Sequence, residues 1–265
     1  MNEAILTGLL RSGTDPADIV ATVRRAERAA ELAASHPGIT AIAGEEEPDN
    51  NKDAARGSAV VILGVKPAGI TDLAREISPS LAPTTIVMSI AAAVSIAQLE
   101  AALPPGQPVI RAMPNTPAKL GRGVVSVSPG TNCSPEQLQL AKSILRGAGT
   151  VVEVPEEQVD ALSAISGSGP AYAFYLAEAM AAAGVKLGLD PELSRLLARE
   201  TVAGAGLMLA EPGADPTTLR KAVTSPNGTT ERAISTFDER DLPEIIADGA
   251  RAAAARAAEI TKQLA

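Results

Sequence analysis

Ser58-Ala59-Val60-Val61-Ile62-Leu63-Gly64-Val65-Lys66-Pro67 is a nearly continuous apolar run closed by a lysine and a proline. A strand with one wet face alternates polar and apolar residues; an unbroken run is how a strand buried on both faces looks. Pro67 cannot donate to a strand ladder and suits the first turn of a following helix, so Ile70 to Ile77 reads as helix. Outward from this run the alternation continues. Towards the N-terminus, Asp18–Val23 and Ile39–Ala43 read as short strands, Arg25–Ser35 as a helix, and Ile5/Leu9 with Leu6/Leu10 as one apolar helix face. Towards the C-terminus come strands at Thr84–Ser89, Pro108–Met113, Gly123–Val127 and Thr150–Val154. Between them lie helices at Ser95–Leu103, capped by Ser95, and at Pro135–Arg146. Strands alternating with helices predict an α/β fold with a Rossmann-like, doubly wound and mostly parallel sheet over residues 1–154. From 155 to 265 the pattern turns helical: Ala171–Ala183, Pro191–Ala210, Pro216–Val223 and Leu242–Leu264.

Composition narrows the function. Of 265 residues, 46% are hydrophobic, enough for a sizeable core, but the only aromatics are Tyr172, Phe174, Tyr175 and Phe237. A net charge of -8 disfavours a nucleic-acid partner. No apolar run reaches the ~20 residues of a membrane span, and no secretory leader opens the chain. Cys133 is the single cysteine, so no intrachain disulfide can form and a cytoplasmic location fits. His36 is the single histidine, in the turn Ser35-His36-Pro37-Gly38, which removes histidine triads and multi-histidine metal sites from consideration.

In an open parallel sheet, ligands sit beyond the carboxyl ends of the strands. The strand at 18–23 ends in Arg24-Arg25 where an NAD site wants an acid. Cations there favour a 2′-phosphate and hence NADP, with NAD still possible; a solvated basic helix start explains the same residues. Val65-Lys66-Pro67 ends one strand, Ser89-Ile90-Ala91-Ala92-Ala93 the next, and Met113-Pro114-Asn115-Thr116-Pro117 the third, together the floor of a crevice. The helical half adds two small-residue cradles at helix starts, Ser166-Gly167-Ser168-Gly169-Pro170 and Thr224-Ser225-Pro226-Asn227-Gly228-Thr229-Thr230. Each can hold an anion with backbone N–H groups, and each can equally be ordinary capping. Two of them favour a small carboxylate. Neither supplies a lysine, histidine or buried acid, so the substrate's own nitrogen would manage the proton.

Val65-Lys66-Pro67, Arg111-Ala112-Met113-Pro114-Asn115-Thr116-Pro117, Asp160 with Ser166–Tyr172, and Thr224–Thr230 together resemble, in order and spacing, the pyrroline-5-carboxylate reductase family across nearly the whole chain. The resemblance implies a Rossmann domain followed by an all-helical dimerisation domain. It implies hydride transfer from NAD(P)H to the C=N carbon of 1-pyrroline-5-carboxylate, giving L-proline in the last step of proline biosynthesis. It also implies a homodimer, with assembly of dimers open. By similarity, Arg25 and Asn51 would lie near the adenosine phosphate, Val65, Lys66 and Pro67 would border the cofactor, and Ala91 and Ala92 its nicotinamide side. Ser225, Gly228, Thr229 and Thr230 would hold the substrate carboxylate and ring nitrogen, Thr230 as the catalytic hydroxyl, with Glu156 near the substrate.

The sequence departs from the family at Asn227 and Ala93, where glycine is common. The family also implies a strand and a Gly-x-Gly-x-x turn ahead of the first helix. Met1-Asn2-Glu3-Ala4 corresponds to residues just after that turn, so the central strand is expected to be missing from the sheet. The same residues also admit another Rossmann reductase of the β-hydroxyacid dehydrogenase type, with Lys186 or Lys221 as acid, or a non-enzymatic homologue with a structural or regulatory role.

Overall fold

The computed structural model describes residues 1–263. In chain order the first part runs α1 (Asn2–Arg11), β1 (Val20–Val23), α2 (Ala26–Ser35), β2 (Thr40–Ala43), α3 (Asn50–Ala55), β3 (Val60–Leu63), α4 (Ile70–Ile77), β4 (Ile86–Ser89), α5 (Ile96–Ala102), β5 (Val109–Pro114), β6 (Gly123–Pro129), α6 (Pro135–Leu145) and β7 (Gly149–Glu153). A short α7 (Val159–Leu162) and a π-helical turn (Ser163–Gly167) follow. The helices α8 (Gly169–Lys186), α9 (Pro191–Leu209), α10 (Pro216–Ala222), α11 (Thr229–Glu239) and α12 (Leu242–Gln263) complete the chain.

Two compact units result. The first is Met1–Gly167 with the stretch of α12 from Ala254 onward; the second is Ser168–Ala253. The change of texture at 154/155 therefore falls inside the first unit. Val159 and Ala164 bury their side chains there, and the Asn115 amide donates to the Ser166 carbonyl at 2.8 Å.

Strands β3, β4 and β5 are parallel neighbours. β6 joins β5 antiparallel, and β7 joins β6 parallel. Alternation along β4 splits the core. Ile86 and Met88 enter one cluster with Ile110, Ala112, Val125 and Leu138, whereas Val87 enters the other with Leu63, Ile70, Leu99 and Val109. Helices α1 and α6 cover the first face, α4 and α5 the second. All four residues of β4 are buried. β3, whose unbroken apolar run predicts burial on both faces, is instead the edge strand of this sheet: only Leu63 is fully buried, and Val60, Val61 and Ile62 are half-buried because no strand pairs on their outer side. Each large aliphatic side chain buried here contributes about 1.5–3 kcal/mol.

β1 and β2 form a separate parallel pair, rather than one continuous sheet with β3. A third cluster, Leu6, Leu32 and Ile39, packs Ile19, Ala21 and Val23. Helix α1 serves both cores: Ile5 belongs to the first cluster and Leu6 to the third. Its seat against the β6–β7 side needs glycine, since a Cβ on Gly147 would collide with the Gly8 carbonyl.

The second unit is helical. α8 and α9 pack together, with Ser194 and Ala198 buried on α9, whereas α8, α10, α11 and α12 contain no buried residue. Among the described residues no helix is long and apolar enough to cross a membrane, and no three His, Cys, Asp or Glu side chains are grouped to hold a metal ion.

Candidate active site

Parallel register brings the ends of β3, β4 and β5 to one edge, with Leu63 opposite Ser89 and Ser89 opposite Arg111. Just past β3, Val65 and Lys66 are exposed and Pro67 is half-buried. Val65 is an apolar side chain left 45% open at a strand end, a surface that suits a cofactor ring system. The Asn2 amide at the start of α1 donates to the Gly64 carbonyl at 2.9 Å, fixing the helix start at this same strand end. At the end of β1, Arg24 and Arg25 are both exposed, and Arg25 lies 3.8 Å from Glu27 in a solvated pair. Arg28 is committed elsewhere, to Glu3 and Glu31. Asn51, on α3, donates its amide to Glu76 Oε1 at 3.0 Å.

The turn after β4 is the most constrained part of this edge. Ala91 and Ala93 are buried while Ala92 between them is exposed, so one methyl is offered outward. Ala93 has φ of 62°, a left-handed conformation costing an L-residue about 1–2 kcal/mol. The turn ends at Ser95, whose hydroxyl accepts the Gln98 N–H while Gln98 returns the bond to the Ser95 backbone, a full capping box. Glu156 closes it. Its Oε1 accepts the Ile96 N–H at 2.7 Å and Arg111 Nη1 at 3.0 Å. Arg111 is 6% exposed and Glu156 30% exposed, so the guanidinium is buried while the carboxylate keeps contact with water.

Past β5, Asn115 is buried and bonded on both sides. It accepts the Val124 N–H at 2.9 Å and donates to the Ser166 carbonyl at 2.8 Å. The Ser166–Pro170 motif thus begins in a π-helical turn held to the sheet, and α8 starts without a side-chain cap. Extra turns of this type occur often at functional sites.

In the second unit, Ser225, Gly228, Thr229 and Thr230 come together at the entry to α11. Gly228 is the N-cap, and no side chain caps the helix. The first-turn N–H groups have no acceptor within the helix and carry partial positive charge. Asn227 takes φ of 57°, which asparagine tolerates better than most residues, and its N–H donates to Glu231 Oε2 at 2.7 Å. A Cβ at Gly228 would lie 2.6 Å from Ser225 Oγ, so only glycine lets that hydroxyl lean over the backbone. Thr230 is half-buried and Thr229 exposed.

The strand-end set and the α11 set fall in different units. Sequence reasoning gave no part to Arg111, Asn115 or Glu231. Arg111 and Asn115 stood inside a quoted motif, and Glu231 sits four residues after Asn227 at the spacing of a helix-start acceptor.

A family model described as pyrroline-5-carboxylate reductase dimerisation matches residues 156–260, and one described as NADP oxidoreductase coenzyme F420-dependent matches residues 1–93. A pyrroline-5-carboxylate reductase of Pseudomonas aeruginosa is 40% identical over 243 residues, covering 89% of each chain. One of Corynebacterium melassecola is 38% identical over 265 residues, covering 99% of this chain and 96% of its own length. A solved pyrroline-5-carboxylate reductase structure from Coxiella burnetii superimposes with a TM-score of 0.90 at 34% identity, covering 98% of this chain and 94% of that one. With a strand-end edge, an uncapped helix entry and this identity along nearly its whole length, the chain belongs to the pyrroline-5-carboxylate reductase family.

Proposed function

We propose that this chain reduces 1-pyrroline-5-carboxylate to L-proline, the last step of proline biosynthesis, with NADPH as hydride donor and NADH as the competing donor. The observation that carries the substrate assignment is the uncapped α11 entry, formed by Ser225, Gly228, Thr229 and Thr230. Such an entry suits a small carboxylate. On the strand-end edge, Val65, Lys66 and Pro67 would border the cofactor, and Ala91 and Ala92 its nicotinamide. Arg24, Arg25 and Asn51 would lie at its adenosine phosphate, and the two exposed arginines are chemically suited to a 2′-phosphate. When bound, NADPH supplies a hydride.

The protein's part is then mainly positional. The N–H groups and hydroxyls of the cradle hold the carboxylate. A protonated cyclic imine accepts hydride at its C=N carbon, and its nitrogen keeps the proton it already carries as it becomes a secondary amine. Thr230 Oγ would bond that nitrogen and hold it in line.

A homodimer is supported by the match of the second unit to the dimerisation family model. Phe174 and Tyr175 on α8 are 70% and 71% exposed, a cost in water that a second copy of this helical domain would remove. Its single cysteine is compatible with the cytoplasm. The reductase assignment is tested by following nicotinamide absorbance with 1-pyrroline-5-carboxylate and confirming L-proline as product. Oxidation of NADPH that does not depend on the imine would overturn it.

A further inference from the structure

We infer that the half-buried Arg111–Glu156 pair is a positioning element for the hydride donor, holding the Ile90–Val94 turn in the left-handed shape that presents Ala92. This rests on the reductase reading above, in which Ala91 and Ala92 face the nicotinamide.

Three observations carry it. First, Glu156 Oε1 is shared between Arg111 Nη1 and the Ile96 N–H, so one oxygen joins β5, the segment after β7 and the residue that closes the turn. Second, Arg111 lies on β5 directly opposite Ser89, the last residue of β4 and the start of the turn. The segment is therefore held at both ends, at Ser89 by the strand ladder and at Ile96 by the Glu156 carboxylate that Arg111 positions. Third, Ala93 inside that segment is held at φ of 62° while 8% exposed. An L-residue leaves such a conformation unless its surroundings over-determine it. Gripped at both ends, with Ala91 and Val94 buried, the turn keeps Ala92 as its one exposed residue. Glu156 Oε1 is bonded twice, which suits a brace.

The brace predicts a specific rescue. Glu156→Ala removes both bonds and frees the turn to relax at Ala93. It should lower kcat about tenfold or more, as expected for lost hydrogen bonds to a charged group, with KM for the imine changed less than about threefold. Ala93→Gly introduced into Glu156→Ala removes the strain that drives the relaxation and should recover at least about threefold of the lost kcat. Glu156→Gln, which keeps an acceptor oxygen, should fall between wild type and Glu156→Ala, and it replaces Glu156→Ala in both arms if that variant does not fold. Independently of activity, hydrogen exchange at the Ile96 amide of the cofactor-free protein should speed up about tenfold on substitution. The proposal is overturned by unchanged Ile96 exchange, by no recovery in the double variant, or by a loss confined to KM, which would make Glu156 a substrate ligand. Inactive wild-type protein would instead sink the reductase reading, while the exchange arm still decides whether the pair holds the turn.

Discussion

At the scale of single residues, the proposed chemistry rests on Thr230 and Ser225. Thr230→Ala removes the hydroxyl proposed for the ring nitrogen and should lower kcat/KM roughly tenfold or more without altering the melting temperature, since Thr230 only half-buries its side chain. Steady-state kinetics check this, and an unchanged value removes Thr230 from the site. Gly228→Ala should do more damage than its one methyl suggests, because the new Cβ would press on Ser225 Oγ at 2.6 Å. A rise in KM for the imine is the expected readout. At this scale the sequence was legible where a residue acts through its neighbours. Ser95 is read as a cap and caps with Gln98, and Asn227 is read as tolerating left-handed angles and adopts them. Glu156 was not legible in this way. Its partners Ile96 and Arg111 lie 60 and 45 residues away, and such pairing leaves no periodic trace along the chain.

Elements were legible through periodicity, with errors at their edges. Strands extend too far back in the sequence reading. Asp18 lies in a 3-10 turn capped by Asp15, and Ser58 bonds its hydroxyl back to the Ala54 carbonyl at the end of α3. Helix α3 itself was not read, because Asn50-Asn51-Lys52-Asp53 is polar and too short to show a face. Between elements, Glu3 ties α1 to α2. The Arg28 guanidinium beside it holds its carboxyl below the usual carboxylate range, with His36 adding to the effect against partial burial. A depressed carboxyl stabilises the fold at pH above its unfolded value, and that contribution is lost as pH falls through the folded value. Melting temperatures should therefore drop on the acid side of the ordinary carboxylate range, and Glu3→Gln should flatten that limb. An equally steep limb in the variant would assign the acid sensitivity to other groups.

For the whole molecule, the two-part character was visible in the change from alternating strands to continuous helices. The dimerisation family model begins at residue 156, at the change of texture, whereas α7 and the π-helical turn, helical in sequence, pack with the sheet unit. The helical unit leaves Phe174, Tyr175, Leu187 and Leu207 more than half exposed. Phe174→Asp should shift the molecule from dimer to monomer, read by light scattering at matched concentrations, and a variant that stays dimeric would move the interface away from this part of α8.

Helix α1 puts Ile5 into one core and Leu6, its next neighbour, into another. The β1–β2 pair has four residues per strand and no ladder to the larger sheet. It is a small unit joined to its neighbour by helices α1 and α3 rather than by strand pairing, so it should open more readily than the larger sheet. Native-state amide exchange would resolve this as two tiers of protection, with Val20–Val23 and Thr40–Ala43 in the weaker tier and Ile86–Ser89 in the stronger. Ligation at the end of β1 would then raise the weaker tier more than the stronger, making local protection a direct gauge of occupancy at Arg24 and Arg25.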